Sequence, residues 1–260
     1  MDPLAPVIAA LHAEGRLRVW SLVITLFGDS ILHRGGAVTS AQVQTVLGRL
    51  GVDAGAVRTA LSRLARDGWL DRREGRYRLS DKGTAEFATA LGRVYAPPVQ
   101  GGNLWTMAVA ESAPVPEAFQ IAPMTWLWPG ARGQVGLSLT GQDLSASSDM
   151  RQALLTPEHR AALGSLAADL AAVSTPPDDP LTAIAARTAL IHRWRRLVLR
   201  FADLPPDLLP SDAPLAAPRA AMAEAYHPLC APSERWLDTE GFPTAPDAAQ
   251  TLARRFQTPE

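Results

Sequence analysis

Arg58, Thr59, Ser62, Arg63 and Arg66 recur at intervals that put them on one arc of a helix. The opposite arc is the apolar stripe Val57, Ala60, Leu61 and Leu64. An arginine can grip O6 and N7 of a guanine with two hydrogen bonds, and Thr or Ser hydroxyls can bond base edges or phosphates. A few residues further on, Arg72, Arg73 and Arg76 surround Glu74-Gly75, where a hairpin tip would offer them to a phosphate backbone. The chemistry on offer is recognition of a duplex, not bond making. Each arginine taken alone fits a solvated helix face or a structural hairpin equally well. Their ordered combination points to DNA.

Such side chains need a scaffold, and the flanking sequence reads as one. Arg16–Leu32 is a long apolar stretch, a first helix ended by Gly35-Gly36. Thr39 or Ser40 can cap a second helix with Val43, Val46 and Leu47 on one face, stopping near Gly48. The turn Gly51-Val52-Asp53 follows, and Asp53 caps a third helix, Ala54–Asp67, which Gly68 ends. Trp69-Leu70 and Tyr77-Arg78-Leu79 then flank a polar turn with Gly, the pattern of a hairpin. Ser80-Asp81-Lys82-Gly83 caps another helix. Helix, short helix, turn, helix, hairpin is the layout of a winged helix-turn-helix, with a recognition helix at 54–67 and a wing at Asp71–Arg78.

Charge separates this region from the rest. Residues 1–95 hold 13 basic and 9 acidic side chains, whereas the remainder holds 12 and 17, although the whole chain is near neutral at −1. A polyanion partner is therefore expected for the first third alone. Pro97-Pro98-Val99-Gln100-Gly101-Gly102 reads as a linker, and the short apolar runs Leu104–Ala110, Thr125–Trp128 and Val135–Leu139 suit strands. From 150 onward the pattern is helical, broken by Pro176-Pro177, Pro205-Pro206, Pro210 and Pro214. The fold class is thus α+β, in three parts: 1–95, 96–148 and 149–260. No apolar run reaches the ~18 residues of a membrane helix, and Met1-Asp2-Pro3 does not open a secretory signal. A cytoplasmic location and no membrane partner are expected. Cys230 is the sole cysteine, so neither an intrachain disulfide nor a cysteine-rich zinc site is available. His12, His33, His159, His192 and His227 lack metal-ligand spacing, and there is no Gly-x4-Gly-Lys loop. No metal, no cofactor and no catalytic activity are expected.

Ser21–Asp29 with Arg34-Gly35-Gly36, and Val57–Leu70, resemble the opening of the PaaX family of bacterial repressors. Near the other end, His192-Arg193-Trp194-Arg195-Arg196 and Leu204–Pro210 are similar to that family's last domain, although its usual Asp-Trp-Pro-Gly reads Asp212-Ala213-Pro214-Leu215 here. The resemblance implies an N-terminal winged helix, a ferredoxin-like (Cas2-like) middle domain and a helical C-terminal domain for effector binding or dimerisation. It also implies a homodimer that represses an operon for phenylacetate-like aromatic acids and is released by an acyl- or aryl-CoA. Cas2-like nuclease chemistry has no support, because Leu104–Ala110 ends in Glu111 where a metal nuclease would want an Asp inside the strand.

Arg193, Trp194, Arg195 and Arg196, with Arg187 and Arg200 nearby, are the candidate effector cluster. Guanidinium groups beside an aromatic could hold the phosphates and adenine of a CoA. The other use of such a cluster is a basic helix face paired with Asp203 and Asp207, which the acidic surroundings favour. One rival from another class exists. Val23–Ser30, with its Gly28-Asp29-Ser30, resembles the nucleophile block of the GDSL/SGNH serine esterases, with His227 as a late histidine. Glu224 stands three before that histidine where those enzymes have Asp, and no Gly-x-Asn-Asp block supplies an oxyanion donor. An esterase needs Ser30 at the end of a strand; a repressor of the kind above puts it in a helix.

Overall fold

The computed structural model describes residues 2–13, 15, 17–98, 104–115, 118–131 and 136–257. An N-terminal helix α1 (Ala5–Ala13) precedes α2 (Val19–Leu26), which runs on through a π-helical turn at Phe27–Ile31 and a 3-10 turn at Leu32–Arg34. Gly35, at φ 69°, ends that run in the left-handed conformation only glycine adopts at little cost. β1 (Val38–Thr39) leads directly into α3 (Ser40–Arg49). Thr39 caps α3 in a reciprocal box with Gln42. Asp53 caps α4 (Ala54–Arg66), and its side chain accepts from the Ala56 N–H. β2 (Leu70–Arg73) and β3 (Arg76–Leu79) form a hairpin over Glu74-Gly75, both at positive φ, and β1 pairs with the outer side of β3. α5 (Asp81–Val94), capped by Ser80, closes the N-terminal unit.

The expected elements of this unit are all present, with two additions, α1 and the short strand β1. The sequence reading missed α1, whose buried Val7 and Leu11 rest on helices from the far end of the chain. α4 buries Val57, Ala60, Leu61 and Leu64 against α2 and α3. Gly28 is required in the π-helical turn, because a Cβ there would sit 2.0 Å from the Phe87 ring of α5.

The middle part is a four-stranded sheet of β4 (Leu104–Val109), β5 (Phe119–Ala122), β6 (Thr125–Pro129) and β7 (Leu137–Gln142). Its order is β5-β6-β4-β7 with every neighbour antiparallel. That is the order of a β-α-β-β-α-β unit. The two crossover helices of a ferredoxin-like domain are not found among the described residues, which corrects that expectation. The connections at 110–118 and 130–136 are shorter than the dozen or more residues a helical crossover takes. The proposed linker is described only at Pro97-Pro98; its remaining residues lie outside the described part of the chain.

The helical part follows: α6 (Ser148–Leu154), α7 (Pro157–Ala172), α8 (Pro180–Arg200), α9 (Pro218–Thr239) and the short α10 (Ala248–Ala253). α8 and α9 pack along each other, and α8 also receives α1, α2, α3 and α5. Fourteen of the 21 residues of α8 are buried, so it is the central post of the molecule. The N-terminal unit is therefore seated on the C-terminal helices, not hung from a linker.

Where they meet lies a buried ionic cluster. Asp29, in the π-helical turn, accepts at Oδ1 from Tyr95 (2.6 Å), Tyr226 (2.9 Å) and Arg255 (2.9 Å), while Arg187 Nε lies 2.7 Å from Oδ2. Burial alone would raise the Asp29 carboxyl. Arg187 and Arg255, with the two tyrosine hydroxyls, more than reverse this and bring it down to about 2. A second knot adjoins it. Glu234 of α9 accepts from Arg187 (3.1 Å), Arg34 (2.6 Å) and His33 (3.1 Å), and Arg34 also reaches Asp238. Burial works against the Glu234 charge, yet His33 and the arginines hold this carboxyl too at about 2.

Candidate nucleic-acid interface

All eight residues expected to face DNA are exposed: Arg58, Thr59, Ser62, Arg63 and Arg66 on α4, and Arg72, Arg73 and Arg76 on the hairpin. The cause is local. With Val57, Leu61 and Leu64 buried, a 3.6-residue period turns positions 58, 59, 62, 63 and 66 outward. The pairing of β2 with β3 sets Arg72 opposite Tyr77 and Arg73 opposite Arg76 across the hairpin. Two arginines directly opposite each other repel, which favours a site where an anion relieves them.

These side chains are held differently. Arg58 donates to Gln44 Oε1 of α3 at 3.5 Å, and Gln44 in turn donates to the Ser40 hydroxyl at 2.7 Å. Arg63 and Arg66 both lie 3.5 Å from Asp67, at 62 % and 76 % side-chain exposure, so these pairs are loose and water-screened. The Thr59 hydroxyl is turned back to Gly55 O at 2.9 Å. Arg72 lies over the Tyr77 ring at 5.6 Å, and Arg76 donates to Ala37 O at 3.3 Å. Gln44 and Lys82 are neighbours that the sequence reading did not single out. Lys82 donates to Asp67 O at 3.3 Å and lies 5.8 Å from the Trp69 ring. The spacing of Ser40 and Gln44, one turn apart on α3, was the available signal for the first of them.

The expected effector cluster is not brought together. Consecutive helix residues point about 100° apart, and Arg193–Arg196 go separate ways. Trp194 is fully buried, donates to Val94 O at 2.8 Å and lies under the Arg219 guanidinium at 4.9 Å. Arg193 is ion-paired with Asp169 of α7. Arg195 donates to the Ser21 hydroxyl of α2 at 2.7 Å and is half-buried, and Arg196 is exposed. Arg187, counted with them in sequence, belongs to the Asp29 cluster. His192, between these arginines, is kept neutral: burial first, then Arg195, Arg196 and Arg193, lower its pKa to about 3.

Ser30 lies inside the π-helical turn, fully buried, and spends its hydroxyl on Asp29 at 2.9 Å. His227 sits on α9 and bonds with Gln257 at 3.3 Å. The strand end that an esterase nucleophile needs is absent at Ser30. No group of three or more potential metal ligands occurs among the described residues. None of the described helices is long and apolar enough to cross a membrane.

Comparison with known proteins defines the class. The PaaX-like protein family matches residues 18–83, and the PaaX-like protein C-terminal domain matches residues 153–239. The two matched stretches span more than half of the chain and fall on the N-terminal unit and on α7–α9, and the chain belongs to the PaaX-like family. Among individual proteins, it is 44% identical to the transcriptional repressor PaaX of Escherichia coli (strain K12) over 79 residues. That match takes in 29% of this chain and 25% of the relative, so it spans a quarter of the relative's length. The fold is similar to that of the uncharacterized protein Rv0674 from Mycobacterium tuberculosis, with a TM-score of 0.51 and 19% identity. That likeness covers 85% of this chain and 97% of the other.

Proposed function

We propose that this protein is a sequence-specific, DNA-binding transcriptional repressor without catalytic activity, acting in the cytoplasm. The observation that carries the reading is the exposed arc of Arg58, Thr59, Ser62, Arg63 and Arg66 on a capped helix, beside a hairpin bearing Arg72, Arg73 and Arg76. In this reading α3 and α4 are the helix-turn-helix and β2–β3 the wing of a winged helix. α4 enters the major groove, Arg58 and Arg63 read guanines, and the hairpin arginines meet phosphates. A relative named a transcriptional repressor is 44% identical over 79 residues, which supports the reading.

The repressor acts as a homodimer, as two recognition helices on a pseudo-palindromic operator require. Met107, Val109, Leu137 and Leu139 support a second copy at the middle sheet. They share one face through the β4–β7 register and are each at least 40% exposed. Among the described residues β7 has no strand on its outer side. The regulated operon serves breakdown of a phenylacetate-like acid, and an acyl- or aryl-CoA releases the repressor. With Trp194 buried and Arg193 paired with Asp169, the exposed Arg196, beside the half-buried Arg195, is where α8 presents charge to such a ligand's phosphates.

A gel shift on the duplex upstream of the gene's own operon, against an unrelated duplex, tests the reading. Specific retardation that phenylacetyl-CoA or benzoyl-CoA relieves is the expected result. Equal affinity for both duplexes would overturn the sequence-specific part, and no retardation the whole.

A further inference from the structure

We propose that the buried charge cluster around Asp29 locks the N-terminal unit onto α8 and α9 as one rigid body. Arg34 and Arg255 are then positioning residues that aim α3 and α4 at DNA, and the freedom of the repressor lies at the middle sheet. The inference rests on the DNA-binding reading for its second clause and on geometry alone for its first.

The cluster joins points far apart in sequence. Asp29 is contributed by the π-helical turn, Tyr95 by the end of α5, Arg187 by α8, Tyr226 by α9 and Arg255 by the segment after α10. Arg34 stands just before β1, which pairs with the hairpin and leads into α3. It is 2 % exposed, and its guanidinium is spent on Glu234, Asp238, Thr244 Oγ1 and Pro243 O. Gln42, in the first turn of α3, adds a bond to Glu240 O at the end of α9. The C-terminal end of α9 and the strap that follows it therefore grip the base of α3 directly.

Rotating the N-terminal unit on this seat would separate buried, ionised partners. Removing one partner of a buried pair leaves an uncompensated charge, worth on the order of several hundred-fold in an equilibrium constant. Ligand-driven couplings between sites are typically about 5–150-fold. An effector therefore cannot drive rotation at this joint. The middle sheet is tied differently. Between 104 and 142 the chain has three charged residues, Glu111, Glu117 and Arg132, and Trp105, Phe119 and Leu127 meet the main core through apolar contact. Apolar contacts are non-directional and can slide, so this is where two rigid bodies can change their spacing.

The test is a covalent lock. A Cβ at Gly36 would lie 3.2 Å from Pro243 Cγ, so Gly36→Cys with Pro243→Cys, in a Cys230→Ser background, can bridge the N-terminal unit to the strap. The oxidised protein is expected to bind the operator duplex within twofold of the reduced one. A tenfold change on oxidation would show that DNA is read in another orientation and overturn the proposal. Arg34→Met gives the positioning readout: at least a tenfold loss of specific affinity, with affinity for an unrelated duplex held within twofold. A parallel fall in both affinities, or in neither, would overturn its role. Amide hydrogen exchange on the free protein needs no DNA. α2, α4, α8 and α9 are expected to open in one cooperative step, and exchange of α2 and α4 well before α8 and α9 would remove the lock. If the unlocked protein retards no duplex, the DNA-binding reading fails, while the exchange result still decides the rigid body.

Discussion

Arg58, Arg72, Arg73 and Arg76 stand in water with a weak side-chain contact or a single carbonyl to bond. Arg187 and Arg255 are sealed inside the protein with carboxylates, carbonyls and tyrosine rings around them. The chain uses one residue type in two opposed ways. On α4 and the hairpin, guanidinium groups are exposed and only loosely engaged, so their charge is available to an outside anion at little desolvation cost. At the joint of α2, α8 and α9 they have given up their hydration already, and their charge is consumed by Asp29 and Glu234. Exposed arginines should therefore govern binding and leave stability nearly alone; buried ones should do the reverse.

The largest effect expected is on the buried side. Arg187→Met removes one partner from Asp29 and from Glu234 and should cost about 3–5 kcal/mol of unfolding free energy, read by denaturant titration. It should also move acid unfolding upward in pH. The folded-state pKa of Asp29 is depressed, so its stabilising contribution is present above the ordinary value of 3.8 and is lost as pH falls toward about 2. Without Arg187 that loss begins at higher pH. An unchanged acid midpoint would remove Arg187 from the cause.

Next comes the recognition arc. Arg58→Ala and Arg63→Ala should each weaken specific DNA binding by about 1–3 kcal/mol if each grips a guanine, with thermal unfolding unchanged. Loss of folding in either variant would break the contrast with Arg187, and unchanged specific affinity in both would sink the assignment of α4.

His192 sharpens the comparison from the inside, because burial, and then the arginines around it, keep it neutral until the pH nears 3. Its folded pKa, about 3, is below the ordinary 6.5, so the unfolded chain binds the proton first and stability falls as pH drops below 6.5. Between pH 7 and pH 5 the group should account for about 2 kcal/mol of lost stability. His192→Gln cannot titrate, and the pH 7 to pH 5 difference should shrink by that amount in urea unfolding.

What could be read in sequence follows the same division. Thr39, Asp53, Ser80, Gly68 and the Glu74-Gly75 turn act within a few residues of themselves, so the order of α3, α4, the hairpin and α5 was legible, as was the exposed arc. The Asp29 cluster was not, because the partners of Asp29 lie 66 to 226 positions away from it. A lone carboxylate inside the apolar run Leu22–Ile31 was the one hint, since a charge there must find partners. That same run suggested an esterase block through Ser30, whereas Asp29 is the residue the fold is built around. Arg193–Arg196 misled for a geometric reason: neighbours in sequence on a helix are not neighbours on its surface. That no crossover helix occurs among the described residues of the middle part was foreshadowed by the shortness of its connections, which strand propensity alone does not weigh.

The smallest effects belong to the hairpin, and they bear most directly on the contrast. Arg72→Ala, Arg73→Ala and Arg76→Ala should each shift stability by no more than about 0.5 kcal/mol, because each side chain is solvated and makes no buried ion pair. Their mark should appear in the salt dependence of DNA binding. A contact that neutralises one phosphate releases condensed counterion and contributes about 0.9 to the slope of log K against log salt concentration. Each substitution should flatten the slope by roughly one unit and weaken binding to all duplexes alike, because phosphates carry no sequence. Arg76 is the sharpest case, since its bond to Ala37 O already occupies one of its donors. If Arg76→Ala leaves the slope intact while Arg72→Ala and Arg73→Ala flatten it, Arg76 is a brace between β3 and the strand before α3. If all three leave the slope intact, the hairpin is not on the backbone, and the exposed arginines that matter are those of α4 alone.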